Sequence, residues 1–114
     1  YLYLQNEIIM MTLSNFENFV PPQIWRRGKE HYECSAVTNL EEIETGEWLA
    51  HVEGTEEYEV EISIEEKEIV YWDCDCAYDG DICKHIVAVI LAIRENQSKQ
   101  KHFLSAKEAK IQEE

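Results

Sequence analysis

The middle of this sequence has almost no positive charge. Residues 34–81 contain sixteen acidic residues and a single basic one, Lys67, and the whole chain of 114 residues has a net charge of −14. A protein that neutralises nucleic-acid phosphates needs several basic residues on one face, so this segment would repel a phosphate backbone. Any contact with nucleic acid must therefore come from the two ends of the chain.

Long apolar runs are also missing. No stretch approaches the roughly 20 apolar residues that a membrane-spanning helix needs, and the start, YLYLQNEIIM, is too polar for a secretory signal. We therefore expect a cytoplasmic protein with no membrane partner. The length suits one domain, which we place at residues 14–97. Residues 1–13 are expected to be a leader of upstream sequence, and residues 98–114 a polar tail that forms a short helix or linker.

Catalytic motifs are absent as well. The sequence contains no P-loop, no dinucleotide fingerprint and no nucleophile elbow. The many glutamates are spread too evenly to indicate a catalytic carboxylate pair, and their spacing does not match an EF-hand. We therefore expect no enzymatic activity and no small-molecule substrate.

The first part of the domain predicts helical structure. Ser14 followed by Glu17 is a capping-box pattern, and Pro22 suits the first position of a second, longer helix. Trp25 and Tyr32 fall near helical spacing in that segment and are expected in the core. Its basic residues indicate either a solvated face or a small basic patch.

Residues 34–73 predict an antiparallel sheet. Residues 58–64 alternate apolar and polar side chains without a fault, which is typical of a strand with one wet face. Residues 34–40, 48–53 and 69–72 are the other expected strands, and short turns between them favour a meander of about four strands. From Ile86 the apolar period becomes helical, with Val89, Ile90 and Ile93 on the same stripe, so a C-terminal helix should cover the sheet.

Three of the four cysteines cluster with a histidine in CDCAYDGDICKH, residues 74–85. Cys74 and Cys76 lie two residues apart at a strand end, so both thiolates can project from the same side. Cys83 and His85 repeat this spacing at the helix start, and the Asp-Gly turn between the pairs lets them face each other. Three sulfurs and one imidazole form a closed tetrahedral set, which is typical of structural rather than catalytic zinc.

Other uses of the cysteines fit less well. Disulfides need an oxidising compartment, iron–sulfur clusters usually take four cysteines at other spacings, and a redox pair favours C-x-x-C. Structural zinc is therefore the preferred interpretation, although these alternatives stay open. Cys34 is too distant in sequence to be read as a ligand, and we expect it to be a small core residue, with its role open.

The spacing C-x-C-x6-C-x-H, followed at once by an apolar helix, resembles the SWIM zinc finger. The likeness extends over residues 24–93 through WRRGKEHY, A-x-V-x-G and Y-x-V-x-I. The resemblance implies one structural Zn²⁺ held by Cys74, Cys76, Cys83 and His85. Many members have proline after the second cysteine, where this chain has Ala77. Members occur in bacterial SWI/SNF-type helicases, transposases and ubiquitin ligases, which implies a binding module within a larger DNA-related protein.

The expected fold is α+β, with an N-terminal helix, an antiparallel meander, a zinc knuckle at a strand end and a C-terminal helix packed on the sheet. Two functions are compatible with it. The first is interaction with a protein partner or an adjacent domain, which the acidic centre of the chain favours. The second is direct DNA binding. The candidate contact residues for either are Trp25, Arg26, Arg27, Lys29 and Lys84.

Overall fold

The structure is a computed structural model and describes residues 10–78 and 80–97. Its elements, in chain order, are a 3-10 helix (Phe16–Phe19), helix α1 (Pro22–Glu33), strands β1 (Val37–Glu44), β2 (Glu47–Glu53), β3 (Glu57–Glu65) and β4 (Glu68–Cys74), and helix α2 over residues 84–97. The predicted α+β fold is confirmed. Residues 1–9 and 98–114, which include most of the expected leader and all of the expected tail, lie outside the described residues, and the domain bounds stay a prediction.

The four strands form one antiparallel meander in the order β1-β2-β3-β4. Gly46 turns β1 into β2 with a φ of +80°, and a Cβ at this position would overlap the Ile64 carbonyl oxygen, so the turn requires glycine. Glu66 and Lys67 form the two-residue turn between β3 and β4, and both have positive φ, as hairpin turns of this length require. These tight turns give the connections that the sequence predicted.

One face of the sheet is buried and the other is open. Trp48, Ala50 and Val52 of β2 and Val60 and Ile62 of β3 are buried in the core. The intervening residues, mostly glutamates, point away from it and are exposed or half-buried. The alternation in residues 58–64 predicted one buried and one solvent-exposed face of the sheet, and this prediction is confirmed.

Helix α2 is the most deeply buried element. Every residue from 85 to 91 is buried, as is Ile93. The predicted stripe is inside, but so are Val87 and Leu91, because α2 is covered on a second side by α1. The two helices approach so closely at Gly28 that a Cβ there would overlap Val87 and lie 2.9 Å from the Lys84 carbonyl oxygen. Because neighbouring elements cover α2 on more than one side, its apolar side chains extend beyond a single stripe.

The predicted capping box at Ser14 is wrong. The first helical turn is a 3-10 helix of four residues that begins after Asn15 and has no side-chain cap. Asn15 instead accepts a hydrogen bond from the Thr12 N–H (2.7 Å), and Glu17 pairs with Arg94 of α2 (3.7 Å). Pro21 and Pro22 prevent the first helix from continuing. Glu17 forms its ion pair with Arg94 instead of capping the helix.

Residues 11–13 lie against the edge of β4. The Ile69 N–H donates to the Met11 carbonyl oxygen (2.8 Å), and the Leu13 N–H donates to that of Lys67 (3.4 Å). Both Met11 and Leu13 are buried in the core. This segment therefore contributes to the packing of the domain.

Candidate metal centre

The four predicted ligands come together at the junction of β4 and α2. Cys74 is the last residue of β4, and Cys76 lies in the bend that follows. Cys83 immediately precedes α2, and His85 is in its first turn. Asp79, part of the predicted turn between the two pairs, lies outside the described residues, but the chain on either side of it brings the pairs face to face.

The donor atoms lie close enough together to bind one metal ion. All four lie within 4.8 Å of one another, and the Nδ1 atom of His85 is 3.7 Å from the Cys74 sulfur and 3.8 Å from the Cys83 sulfur. Bonds of about 2.3 Å to sulfur and 2.0–2.1 Å to nitrogen give tetrahedral edges of about 3.6 Å between nitrogen and sulfur. The distances therefore fit one Zn²⁺ at the centre with small inward shifts.

The pKa values of the two thiols closest to the His85 imidazole are shifted in opposite directions. The pKa of the Cys83 thiol is lowered, chiefly by a hydrogen bond from Cys74 and further by those of His85 and the Ile86 N–H. The pKa of the Cys74 thiol is raised, because it shares its proton with Cys83 and because it is partly buried. Without metal the pair therefore keeps a proton, which zinc must displace to bind both sulfurs as thiolates.

Side chains of two other elements surround the His85 ring. Tyr58 of β3 stacks on it, with 4.3 Å between ring centroids and 24° between planes. His31 of α1 meets it at 80° with centroids 5.5 Å apart, and the Nδ1–H of His31 donates to the Arg27 carbonyl oxygen (3.0 Å). The imidazole is 4 % exposed, so β3 and α1 fix the ligand orientation.

Two aspartates next to the donor residues hold the ligand loop in place. The Asp75 carboxylate accepts a hydrogen bond from the Glu59 N–H (3.0 Å), which ties the segment between Cys74 and Cys76 to β3. The Asp81 carboxylate accepts one from the Trp72 indole N–H (3.2 Å), which ties the segment before Cys83 to β4. These carboxylates therefore support the loop geometry rather than the metal itself.

Cys34 is not the buried core residue that the sequence predicted. It follows the last residue of α1, is exposed, and makes a weak contact of 3.6 Å from its sulfur to the His31 carbonyl oxygen. The sheet begins at Val37 instead of residue 34, so this cysteine caps a helix and does not enter a strand. It lies outside the cluster of donor atoms.

The candidate contact residues divide into separate groups. Arg26, Arg27 and Lys29 are exposed on α1, whereas Trp25 is half-buried and packs edge-on against Phe16, with 5.6 Å between centroids. Lys84 lies at the start of α2 and shares one cavity with Arg27. The structure thus brings two of the five together in one cavity, which His85 also lines.

Sequence reasoning missed the neighbours of His85. The alternation in residues 58–64 places Tyr58 in a strand, and no sequence signal singles out His31. No local spacing links either residue to residues 74–85, because the contacts depend on how α1 and β3 pack around α2.

Among the described residues, no helix is long and apolar enough to cross a membrane.

The comparisons with known proteins agree with this geometry. Residues 58–94, about a third of the chain, match the family model of the SWIM zinc finger. No curated protein and no solved structure gives a significant match. The matched segment runs from β3 through the ligand loop into α2 and contains all four donor residues. Residues 58–94 therefore match the SWIM zinc finger, and the Cys74, Cys76, Cys83 and His85 cluster within them fits one structural Zn²⁺.

Proposed function

We propose that this chain is a zinc-stabilised interaction module that binds a positively charged protein partner, or an adjacent domain of a larger protein, through the open face of its sheet. The observation that carries the proposal is a row of side chains across all four strands. Glu41 of β1, Leu49 of β2, Glu61 of β3 and Asp73 of β4 lie opposite one another in register. Three of the four are exposed acids, and they surround a half-buried leucine.

The neighbouring rows extend this acidic face. Glu59 lies opposite His51 on one side, and on the other Glu47 lies opposite Ser63, which lies opposite Tyr71. The pKa of Tyr71 is raised, chiefly by the negative charge of Asp73 and also by that of Glu61, so the field of the face acts on its own residues. A surface of acids interleaved with an aliphatic and an aromatic side chain suits a partner with basic and apolar groups.

Zinc supports this role through folding. A closed set of three cysteines and a histidine leaves no coordination position for a substrate, and the binding energy of such sites is folding energy. The ion connects the end of β4 to the start of α2, and α2 packs on the dry side of the sheet. Loss of the metal should therefore loosen the support of the acidic face.

We infer a cellular context for the module from its match to the SWIM zinc finger. SWIM zinc fingers in bacterial SWI/SNF-type helicases are expected to connect parts of a larger DNA-related protein, and thiolate ligands favour a reducing, cytoplasmic location. The charge distribution supports contact with a basic protein surface in such an assembly.

A titration with a basic peptide tests the proposal. A decamer of alternating lysine and serine is added to the zinc-loaded chain at low salt, and amide shifts are followed by NMR. We expect shifts centred on Leu49, Glu61 and Tyr71 that weaken as salt is raised. The variant Glu59→Gln/Glu61→Gln should weaken binding, whereas Glu30→Gln/Glu33→Gln on α1 removes the same charge elsewhere and should not. Equal losses in both variants would show that net charge alone is responsible and would reject the acidic face as a site.

Direct DNA binding is the second candidate, and the shared cavity of Arg27 and Lys84 favours it. Trp25 is half-buried against Phe16, so it is less accessible to DNA than the exposed basic residues of α1. Anisotropy of labelled single- and double-stranded DNA at low and moderate salt measures this binding. A steep salt dependence that disappears in Arg26→Glu/Arg27→Glu would favour DNA, and no binding at low salt would exclude it.

A further inference from the structure

A cavity of about 200 Å³ lies between α1 and the start of α2, beside the metal centre. Its polar wall is formed by Arg27, Tyr78, Lys84 and His85, and the sulfur-bearing Cys76 and Cys83 also line it. One water molecule needs only about 10–15 Å³ of such space. The cavity can therefore hold a small polyatomic ligand next to the ligand histidine.

The charge of this cavity is opposite to that of the chain. Among residues 10–78 and 80–97 no carboxylate lines it, although the chain has 24 acidic residues. Two of the basic residues that the structure describes, Arg27 and Lys84, do line it, and neither forms an ion pair with a described residue. Unpaired cations without acidic neighbours favour an anionic ligand.

His85 provides an independent reason for a ligand. Its Nδ1 atom faces the sulfurs of Cys74 and Cys83, so with the metal bound at Nδ1 the Nε2 atom carries the hydrogen. Metal-ligating histidines almost always donate that second N–H to an acceptor. The 4 % exposed ring of His85 has no hydrogen-bond acceptor for Nε2 among the described residues.

The first turn of α2 lies at the same place. The helix begins at Lys84 and continues to residue 97 in the described part of the chain, so its positive dipole end is close to the cavity. Cations from two helices and the side chain of His85 thus line one space, and a helix start adjoins it. We propose that this cavity is a binding site for a phosphate-type oxyanion, held by Arg27, Lys84 and the Nε2–H of His85.

The site does not depend on what binds the acidic face of the sheet. Two sources of the oxyanion share the same chemistry: free inorganic phosphate and the phosphodiester of a nucleic-acid strand. Both present negative oxygens to charged donors, which bind such oxygens about twice as strongly as neutral donors do. The difference between them lies in how much of the ligand extends beyond the cavity.

Titration of the zinc-loaded chain with inorganic phosphate tests the proposal. Sodium chloride keeps the ionic strength constant, and NMR follows the His85 side-chain Nε2–H and the Lys84 and His85 amides. We expect saturable shifts with a dissociation constant on the order of 1 mM, which is weak but specific. Arg27→Ala should weaken binding about tenfold, because it removes a charged hydrogen-bond donor, and Lys84→Gln should act in the same direction.

Arg26→Ala is the matched control, because Arg26 is the exposed neighbour of Arg27 on α1 and does not line the cavity. It should leave the affinity within about twofold. Zinc content and circular dichroism are measured for every variant. Should Lys84→Gln lose zinc, the exposed Arg27 position still gives a decisive comparison, because Arg27 is distant in sequence from all four donor residues.

A second arm replaces phosphate with a short oligothymidylate. Tighter binding of the oligonucleotide, lost in Arg27→Ala, would support the site and identify its ligand as a nucleic-acid strand. Saturable binding of phosphate with no response to the oligonucleotide would support the site as one for a free oxyanion. The absence of saturable shifts with both ligands, or equal weakening by Arg26→Ala and Arg27→Ala in zinc-loaded protein, would overturn the proposal.

Discussion

The contact of Gly28 with α2 makes a demanding test of how the metal site is supported. Gly28 is buried in the middle of α1, where glycine normally destabilises a helix by about 1 kcal/mol relative to alanine. In this fold the added Cβ would overlap the fully buried Val87 and lie 2.9 Å from the backbone oxygen of Lys84. Gly28→Ala should therefore push apart α1 and the first turns of α2.

The expected loss follows from two opposing terms. Overpacking of a core costs about 1–3 kcal/mol, and the upper end applies because a backbone atom and a buried branched side chain cannot move aside easily. The helix preference of alanine returns about 1 kcal/mol. We expect a net destabilisation of about 2 kcal/mol, and a melting temperature lower by roughly 10 °C for a domain of this size. Zinc affinity should fall as well, because Lys84 and Val87 flank His85.

Thermal unfolding of the zinc-loaded protein, together with competition against a chromophoric zinc chelator, measures both effects. Gln23→Ala is the control, since Gln23 is exposed on the same helix and its replacement should change stability by less than about 0.5 kcal/mol. A Gly28→Ala protein as stable as the parent, with unchanged zinc affinity, would refute the inferred role of helix contact in holding the site.

The remaining predictions concern the ligands and the charged face. Cys76→Ser should abolish stoichiometric zinc binding and cooperative unfolding, whereas Cys34→Ser should still bind one Zn²⁺ per chain. Elemental analysis measures the zinc content and calorimetry the unfolding. Full zinc occupancy in Cys76→Ser would disprove the ligand set. The affinity for zinc should rise by at least about tenfold per pH unit between pH 6 and 8, because the raised pKa of Cys74 means that binding releases its proton. A flat profile in the chelator competition would contradict this proton release. Asp73→Asn should lower the pKa of Tyr71 toward its ordinary value in an NMR titration, and an unchanged pKa would show that Asp73 does not act on it.

The sheet was largely predictable because its information is local. Alternation in residues 58–64 and the turn residues between the strands are properties of neighbouring positions, and a meander needs only contacts between consecutive strands. The errors occurred where local signals competed with distant partners. Glu17 pairs with Arg94 instead of capping its own turn, and Cys34 lies in the turn that follows α1, before the first strand begins at Val37.

For the metal site, the sequence by itself determined the donor set. Two pairs spaced at i and i+2, one at a strand end and one at a helix start, need only a short connecting loop to form a tetrahedron. Tertiary structure alone decided the surroundings of His85, namely Tyr58, His31 and the cations Arg27 and Lys84. His31 and Arg27 are distant from His85 along the chain and reach it because Gly28 lets α1 approach α2 closely, whereas Tyr58 reaches it from β3. Local spacing can specify which atoms bind a metal, but helix packing specifies what else can reach it.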